Sequence, residues 1–221
     1  MKVPVAAVLA GALSLSAADS EVWRFERLDQ IGGHPTKVLG HPHVVDTPAG
    51  KAIQFNGVDD AIYIDVHPLA GAETWTWEVI FRPDLGGSAE QRFFHFQEID
   101  AAGNDEGTRM LQEIRVDGER WCLDSFATAG DGNLTLLDRT KLHPLGSWHH
   151  IASVYDGKEF RNYVDGVLQV SGAVQLPPQH PGHTSIGTRI NKRDYFKGAI
   201  LAARMTRRAL TPAEFLPSPG K

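Results

Sequence analysis

Four dipeptides, Asn56-Gly57, Asp117-Gly118, Asp156-Gly157 and Asp165-Gly166, punctuate this chain beside runs in which apolar and polar residues alternate. Such pairs tolerate the positive φ that tight turns between right-twisted strands demand, so they are strong short-range hairpin signals. The runs around them are short. Ala52 to Phe55, Ala61 to Val66, Trp75 to Arg82 and Phe93 to Ile99 come first, then Arg109 to Val116 and Trp121 to Thr128. Trp148 to Tyr155, Phe160 to Val164 and Val167 to Ser171 follow. No helical periodicity of useful length appears between residues 20 and 210, so the alternation predicts antiparallel strands throughout. A meander with this many strands buries its apolar faces by folding into two packed sheets. Thr211-Pro212-Ala213-Glu214 is the exception. Its Thr at N-cap, Pro at N1 and Glu at N3 predict one short C-terminal helix.

The 221 residues, 42% hydrophobic and 22% charged, are enough for a sizeable core within one all-β unit. The net charge of −5 is spread along the chain, and no Lys/Arg-rich run supplies the footprint of a nucleic-acid or membrane-surface protein. Lys2, the apolar stretch Val3 to Leu15 and the small residues Ser16-Ala17-Ala18 read as a secretory signal. The expected organisation is therefore a signal peptide over 1–18, a single domain over 19–216 and a flexible tail over 217–221, in a secreted, periplasmic or cell-envelope protein. No other apolar run approaches the ~20 residues that span a bilayer. Cys122, flanked by Trp121 and Leu123, has no partner for an intramolecular disulfide and reads as a buried, inert thiol.

Four segments in order carry a resemblance. "KAIQFNGVDDAIYI" (51–64) resembles the opening block of laminin G-like domains, and "GSWHHIASVYDGKEFRNYVDGVLQ" (146–169) their Trp-His start and paired hairpins. "TSIGTR" (184–189) and "FKGAILAARMTRRALTPAEF" (196–215) resemble the closing strands and terminal helix. The resemblance implies a concanavalin A-like jelly roll, a superfamily that hosts lectins, adhesion modules, glucanases and lyases. Many relatives hold calcium at the loop matching Asp59 and Asp60, which implies these two as ligands of a structural Ca²⁺. Read on their own, the same acids cap backbone N–H groups of a turn.

For chemistry, the alternation matters most. With Phe94 and Phe96 inward, His95 and Gln97 point outward. With Met110, Ile114 and Val116 inward, Arg109, Glu113 and Arg115 point outward, although Gln112 would then also face the core. Arg161 and Tyr163 share one face of a later strand. A solvent face bearing these seven residues has the planar donors, carboxylates and rings a sugar site needs. The favoured function is a non-catalytic module binding a polysaccharide or glycoprotein. The alternatives are a polysaccharide lyase or glycoside hydrolase of the same fold, and a structural or adhesion domain. Glu98-Ile99-Asp100 resembles half of a laminarinase motif, but Ala102 and Gly103 stand where the second Glu should fall. The pairs His41/His43, His149/His150 and His180/His183 lack a compact zinc signature, and His150 is expected to satisfy a core hydrogen bond.

Overall fold

The computed structural model describes residues 19–218, with Glu106 described by its backbone alone; the expected signal peptide and the last three residues of the expected tail lie outside that range. The strands in chain order are β1 (Ser20–Arg24), β2 (Gln30–Ile31), β3 (His34–Leu39), β4 (His43–Thr47), β5 (Gly50–Asn56) and β6 (Ala61–Ile64). Next are β7 (Trp75–Pro83), β8 (Glu90–Ile99), β9 (Asp105–Asp117), β10 (Arg120–Ala129), β11 (Gly132–Leu137) and β12 (His143–Pro144). Last come β13 (His149–Tyr155), β14 (Glu159–Val164), β15 (Val167–Ala173), β16 (Gly182–Ile186) and β17 (Lys197–Thr206). The expected helix is a single 3₁₀ turn over Pro212–Glu214, its Glu214 carboxylate accepting from the N–H and hydroxyl of Thr211.

Two antiparallel sheets result. One runs β15-β14-β13-β7-β17-β5-β4 with β1 added beside β17, and the other β11-β10-β9-β8-β16-β6-β3-β2 with β12 beside β10. Every neighbouring strand pair among the described residues is antiparallel. Asp156-Gly157 and Asp165-Gly166 lie in hairpin turns, but Asn56-Gly57 joins β5 to β6 across the two sheets, and the β9–β10 turn residues are Gly118 and Glu119. At Asp165-Gly166 both turn residues have positive φ, 50° and 80°, the mirror-image turn that a two-residue hairpin favours.

The core lies between the sheets and is mainly aromatic. Trp77 of β7 stacks on Phe96 of β8 at 4.2 Å between ring centroids, and Phe81 on Phe93 at 4.7 Å. Such pairs contribute roughly 0.5–1.5 kcal/mol each beyond the area they bury. Phe55, Phe94 and Ile114 are buried with them, as the alternation predicts, whereas Val154 is buried on the outer face of the first sheet, opposite Arg161 of β14. Gln112 does face the core, and the register holds because the core accommodates it. Its amide donates to the Trp77 carbonyl and the Ser153 hydroxyl, both at 3.2 Å, and Ser153 donates to Asn162 at 3.0 Å. A polar residue on β9 thereby ties one sheet to β7, β13 and β14 of the other.

The outer face of the first sheet is covered by the C-terminal segment. Buried Glu78 accepts from His150 Nε2 at 3.0 Å and the Leu216 N–H at 2.7 Å, and pairs with Arg204. His150 therefore satisfies the buried hydrogen bond expected of it.

Candidate functional site

The outer face of the second sheet, pointing away from the core, carries a concentration of charge that encloses a cavity. The β9–β10 hairpin sets Glu113 opposite Asp124 and Leu111 opposite Phe126, while β8 sets Arg92 opposite Glu113 and Glu90 opposite Arg115. A bulge at Phe93 puts Phe93 and Phe94 both in the core, so that Arg92 and His95 both emerge on the outer face. Arg92, Arg109, Leu111, Glu113, Arg115, Asp124, Phe126, Thr135 and Arg189 line a pocket of about 180 Å³ there.

The expected outward set does share this face, but the face is not open, and this corrects the expectation of solvent exposure. The β16–β17 loop lies across β8. Ile190 N–H donates to His95 Nδ1 at 3.0 Å, and the Asp194 carboxylate pairs with Arg92. His95 and Gln97 are consequently buried, with Gln97 donating to the Thr108 carbonyl at 3.1 Å. Burial, helped by the charges of Arg189, Arg109 and Arg92, holds the His95 imidazole well below its usual pKa and keeps it neutral. Glu113 is buried as well, accepting from Arg92 Nε at 3.0 Å and Arg115 at 3.2 Å. Arg115 also donates to Asp124 at 2.7 Å and pairs with Glu90. Burial pushes the carboxyls of Glu113 and Asp124 upward against the pull of these arginines. Glu113 and Arg115 thus belong to a buried ion network that wet strand alternation does not anticipate.

Arg109 is different. Its guanidinium lies 4.9 Å from the Phe126 ring centroid and donates to the Gly107 carbonyl at 2.7 Å, and among the described residues it pairs with no carboxylate. Arg161 and Tyr163 share a face of β14, but that is the outer face of the first sheet, on the far side of the sandwich from the pocket. Arg161 pairs with Asp156 and Glu159, and Tyr163 packs on Phe215 at 5.3 Å. They cannot join a ligand held by Arg109. Glu98 is buried against the His180 N–H, while Asp100 caps the N–H groups of Ala102 and Asn104 in an exposed loop, so the two acids face different surroundings.

At the implied calcium loop, Asp60 is buried and its two oxygens accept from the N–H groups of His41 and Asn56 at 2.7 and 2.9 Å. Asp59 accepts from the Asn56 amide at 2.7 Å. These contacts fit the reading of both acids as caps of the turn's N–H groups. Among the described residues no group of three or more His, Cys, Asp or Glu side chains is arranged to hold a metal.

A family profile described as the concanavalin A-like lectin/glucanases superfamily, laminin G type, matches residues 56–215. The chain belongs to that superfamily. No curated protein matches its sequence. Its fold is similar to the binding domain of Paraclostridial Mosquitocidal Protein 1 (TM-score 0.65, 13% identity, over 89% of this chain and 51% of that one). It is similar to domain 4 of AbnA, an extracellular arabinanase from Geobacillus stearothermophilus solved with arabinotriose (TM-score 0.56, 18% identity, 89% and 97%). It is also similar to the binding domain of botulinum neurotoxin DC solved in complex with SialylT (TM-score 0.61, 9% identity, 88% and 49%). The chain spans about half the length of the two toxin domains. At these identities the likeness is one of fold.

Sequence reasoning missed Arg92, Leu111, Asp124, Phe126, Thr135 and Arg189. Asp124 and Phe126 stand opposite Glu113 and Leu111 because Gly118 and Glu119 are the turn residues; a turn at Asp117-Gly118 would have set Cys122 opposite Glu113. Arg92 was hidden by the bulge, and Arg189 sits in a loop with no period to read.

Proposed function

We propose that this protein is a carbohydrate-binding jelly-roll module, exported on its N-terminal segment, that takes a sugar at the arginine-lined pocket on the outer face of the second sheet. The observation that carries the reading is the pocket's composition. Leu111 and Phe126 supply apolar surface and Thr135 a hydroxyl, beside arginines and carboxylates that bond sugar hydroxyls. Two of the similar folds, the arabinanase domain and the neurotoxin domain, were solved with arabinotriose and SialylT, which supports a carbohydrate partner. The pocket of about 180 Å³ is smaller than the roughly 300–1,000 Å³ typical of drug-sized ligands, so it suits one sugar unit rather than a long chain segment.

A glycan array probed with the protein and its Phe126→Ala variant tests the reading. Binding by the parent, weakened at least about tenfold in the variant (~1.4 kcal/mol), is expected. No binding by the folded parent to any glycan, or binding untouched by the substitution, would overturn it.

A further inference from the structure

The carboxylates around the pocket are unevenly shared. Glu90, Glu113, Asp124 and Asp194 all pair with Arg92 or Arg115. Arg109 and Arg189 line the same cavity and, among the described residues, pair with none. The Nε atoms of both are buried without a hydrogen-bond partner, and the Arg189 guanidinium makes no side-chain hydrogen bond among the described residues.

An arrangement of this kind costs the free protein. Two cations share a partly desolvated wall, and burial together with the neighbouring charges of Arg109 and Arg92 lowers the pKa of Arg189. Burial likewise lowers that of Arg109, against the opposing pull of Glu113. Charged groups in a partly desolvated wall are usually matched, so two guanidinium groups that line one cavity without a carboxylate partner call for an acceptor of the opposite charge. The neighbouring carboxylates cannot swing across to supply it, since each is held by an arginine of the ion network.

Deepening the carbohydrate-binding reading, on which the identity of the ligand as a sugar rests, we infer that Arg109 and Arg189 form an oxyanion subsite: the ligand carries a carboxylate or sulfate that seats between their guanidinium groups. Guanidinium forks donate two parallel N–H groups, matching the paired oxygens of either group. Phe126 backs Arg109 and holds its plane, which reduces the freedom lost on binding. The small cavity admits one charged sugar, with its ring against Leu111 and Phe126.

The experiment is a titration of the folded protein with sodium sulfate and, separately, sodium glucuronate, following the arginine Nε–Hε resonances by NMR. Ionic strength is held with sodium chloride at about 0.1 M, where the Debye length is about 10 Å. Saturable shifts at Arg109 and Arg189, with Arg92 and Arg115 unmoved, are expected. Arg189→Gln, which breaks no ion pair, should weaken the response at Arg109 at least about tenfold, the loss of one bidentate partner. The glucuronate arm saturating at lower concentration assigns a carboxylate, the sulfate arm a sulfate ester. Absence of saturation in both arms, or shifts of equal size at all four arginines, would overturn the inference. A saturating oxyanion with no glycan bound on the array would retain the subsite and remove the sugar. A neutral glycan bound without any oxyanion response would retain the sugar and remove the subsite.

Discussion

Asp165 offers a test of how a turn residue can hold an edge of the sandwich together. It occupies the first central position of the β14–β15 hairpin with φ 50°, and its carboxylate gathers three donors from two separate parts of the chain. His149 Nδ1 lies 2.8 Å from Oδ2, while Oδ1 accepts from the His150 N–H at 3.0 Å and the Ser218 hydroxyl at 2.6 Å. Asp165→Asn keeps a side chain that tolerates positive φ and one carbonyl oxygen, so the turn survives and the charge alone is removed. Bonds to a charged acceptor are worth about 1.5–3 kcal/mol against about 0.5–1.5 kcal/mol for neutral ones, and one of the three must be remade with an N–H₂ group. A loss of about 2 kcal/mol at neutral pH follows from those differences. Burial alone would raise this carboxyl, but the bonds from His149, Ser218 and the His150 N–H outweigh it and hold the pKa far below the usual carboxylate range. A depressed folded pKa means stability fully present above the unfolded value of about 3.9 and lost as pH falls toward the folded one. Urea unfolding of parent and variant at about pH 7 and about pH 2 should therefore show the difference shrinking on acidification. Glu113 and Asp124, raised by burial, titrate in both proteins and cancel. A difference independent of pH would refute the assignment of the charge to these bonds.

Three further outcomes are expected. Arg115→Ala removes the partner of three carboxylates and leaves buried Glu113 and Asp124 facing each other, so it should cost about 3 kcal/mol by urea unfolding; a cost under about 1 kcal/mol would mean the network is solvated as surface pairs are. Gln112→Leu should cost about 1–2 kcal/mol by loss of its bonds to Trp77 and Ser153, and should be non-additive with Ser153→Ala; additive effects would dissolve the inter-sheet tie. Chelation or added calcium should leave the melting temperature unchanged, because the Asp60 oxygens already serve N–H donors; a rise with calcium would reinstate a native-state ion there.

Much of the fold was legible because strand alternation and turn chemistry are local. Phe94, Phe96, Met110 and Ile114 face the core as their period requires, and Asp165-Gly166 turns as its residues predict. Gln112 shows the limit of a hydrophobicity count. It breaks the pattern on paper, yet its partners Ser153 and Asn162 arrive from two strands of the opposite sheet, and nothing at position 112 announces them. The conflict was real locally and resolved only by packing.

The pocket was half legible for a related reason. Alternation can say which way a side chain leaves its strand, and it sent His95, Gln97, Arg109, Glu113 and Arg115 to one face. It cannot say what lies over that face. The β16–β17 loop settles this, burying His95 beneath Ile190 and bringing Asp194 to Arg92. Nor does a strict period survive a bulge: counting back from Phe94 sends Arg92 inward, whereas two successive core residues, Phe93 and Phe94, send it outward beside Glu113. Once Arg92 is there, the carboxylates have nearer partners than Arg109, and Arg109 is left facing Arg189 across the cavity. The proposed subsite thus depends on Arg92 standing opposite Glu113, a register that the bulge preserves by taking up the extra residue Phe93. Deleting Phe93 would set Arg92 directly before inward-facing Phe94, so alternation would keep Arg92 outward opposite Glu113, and a protein so changed should keep its oxyanion response if it kept its fold.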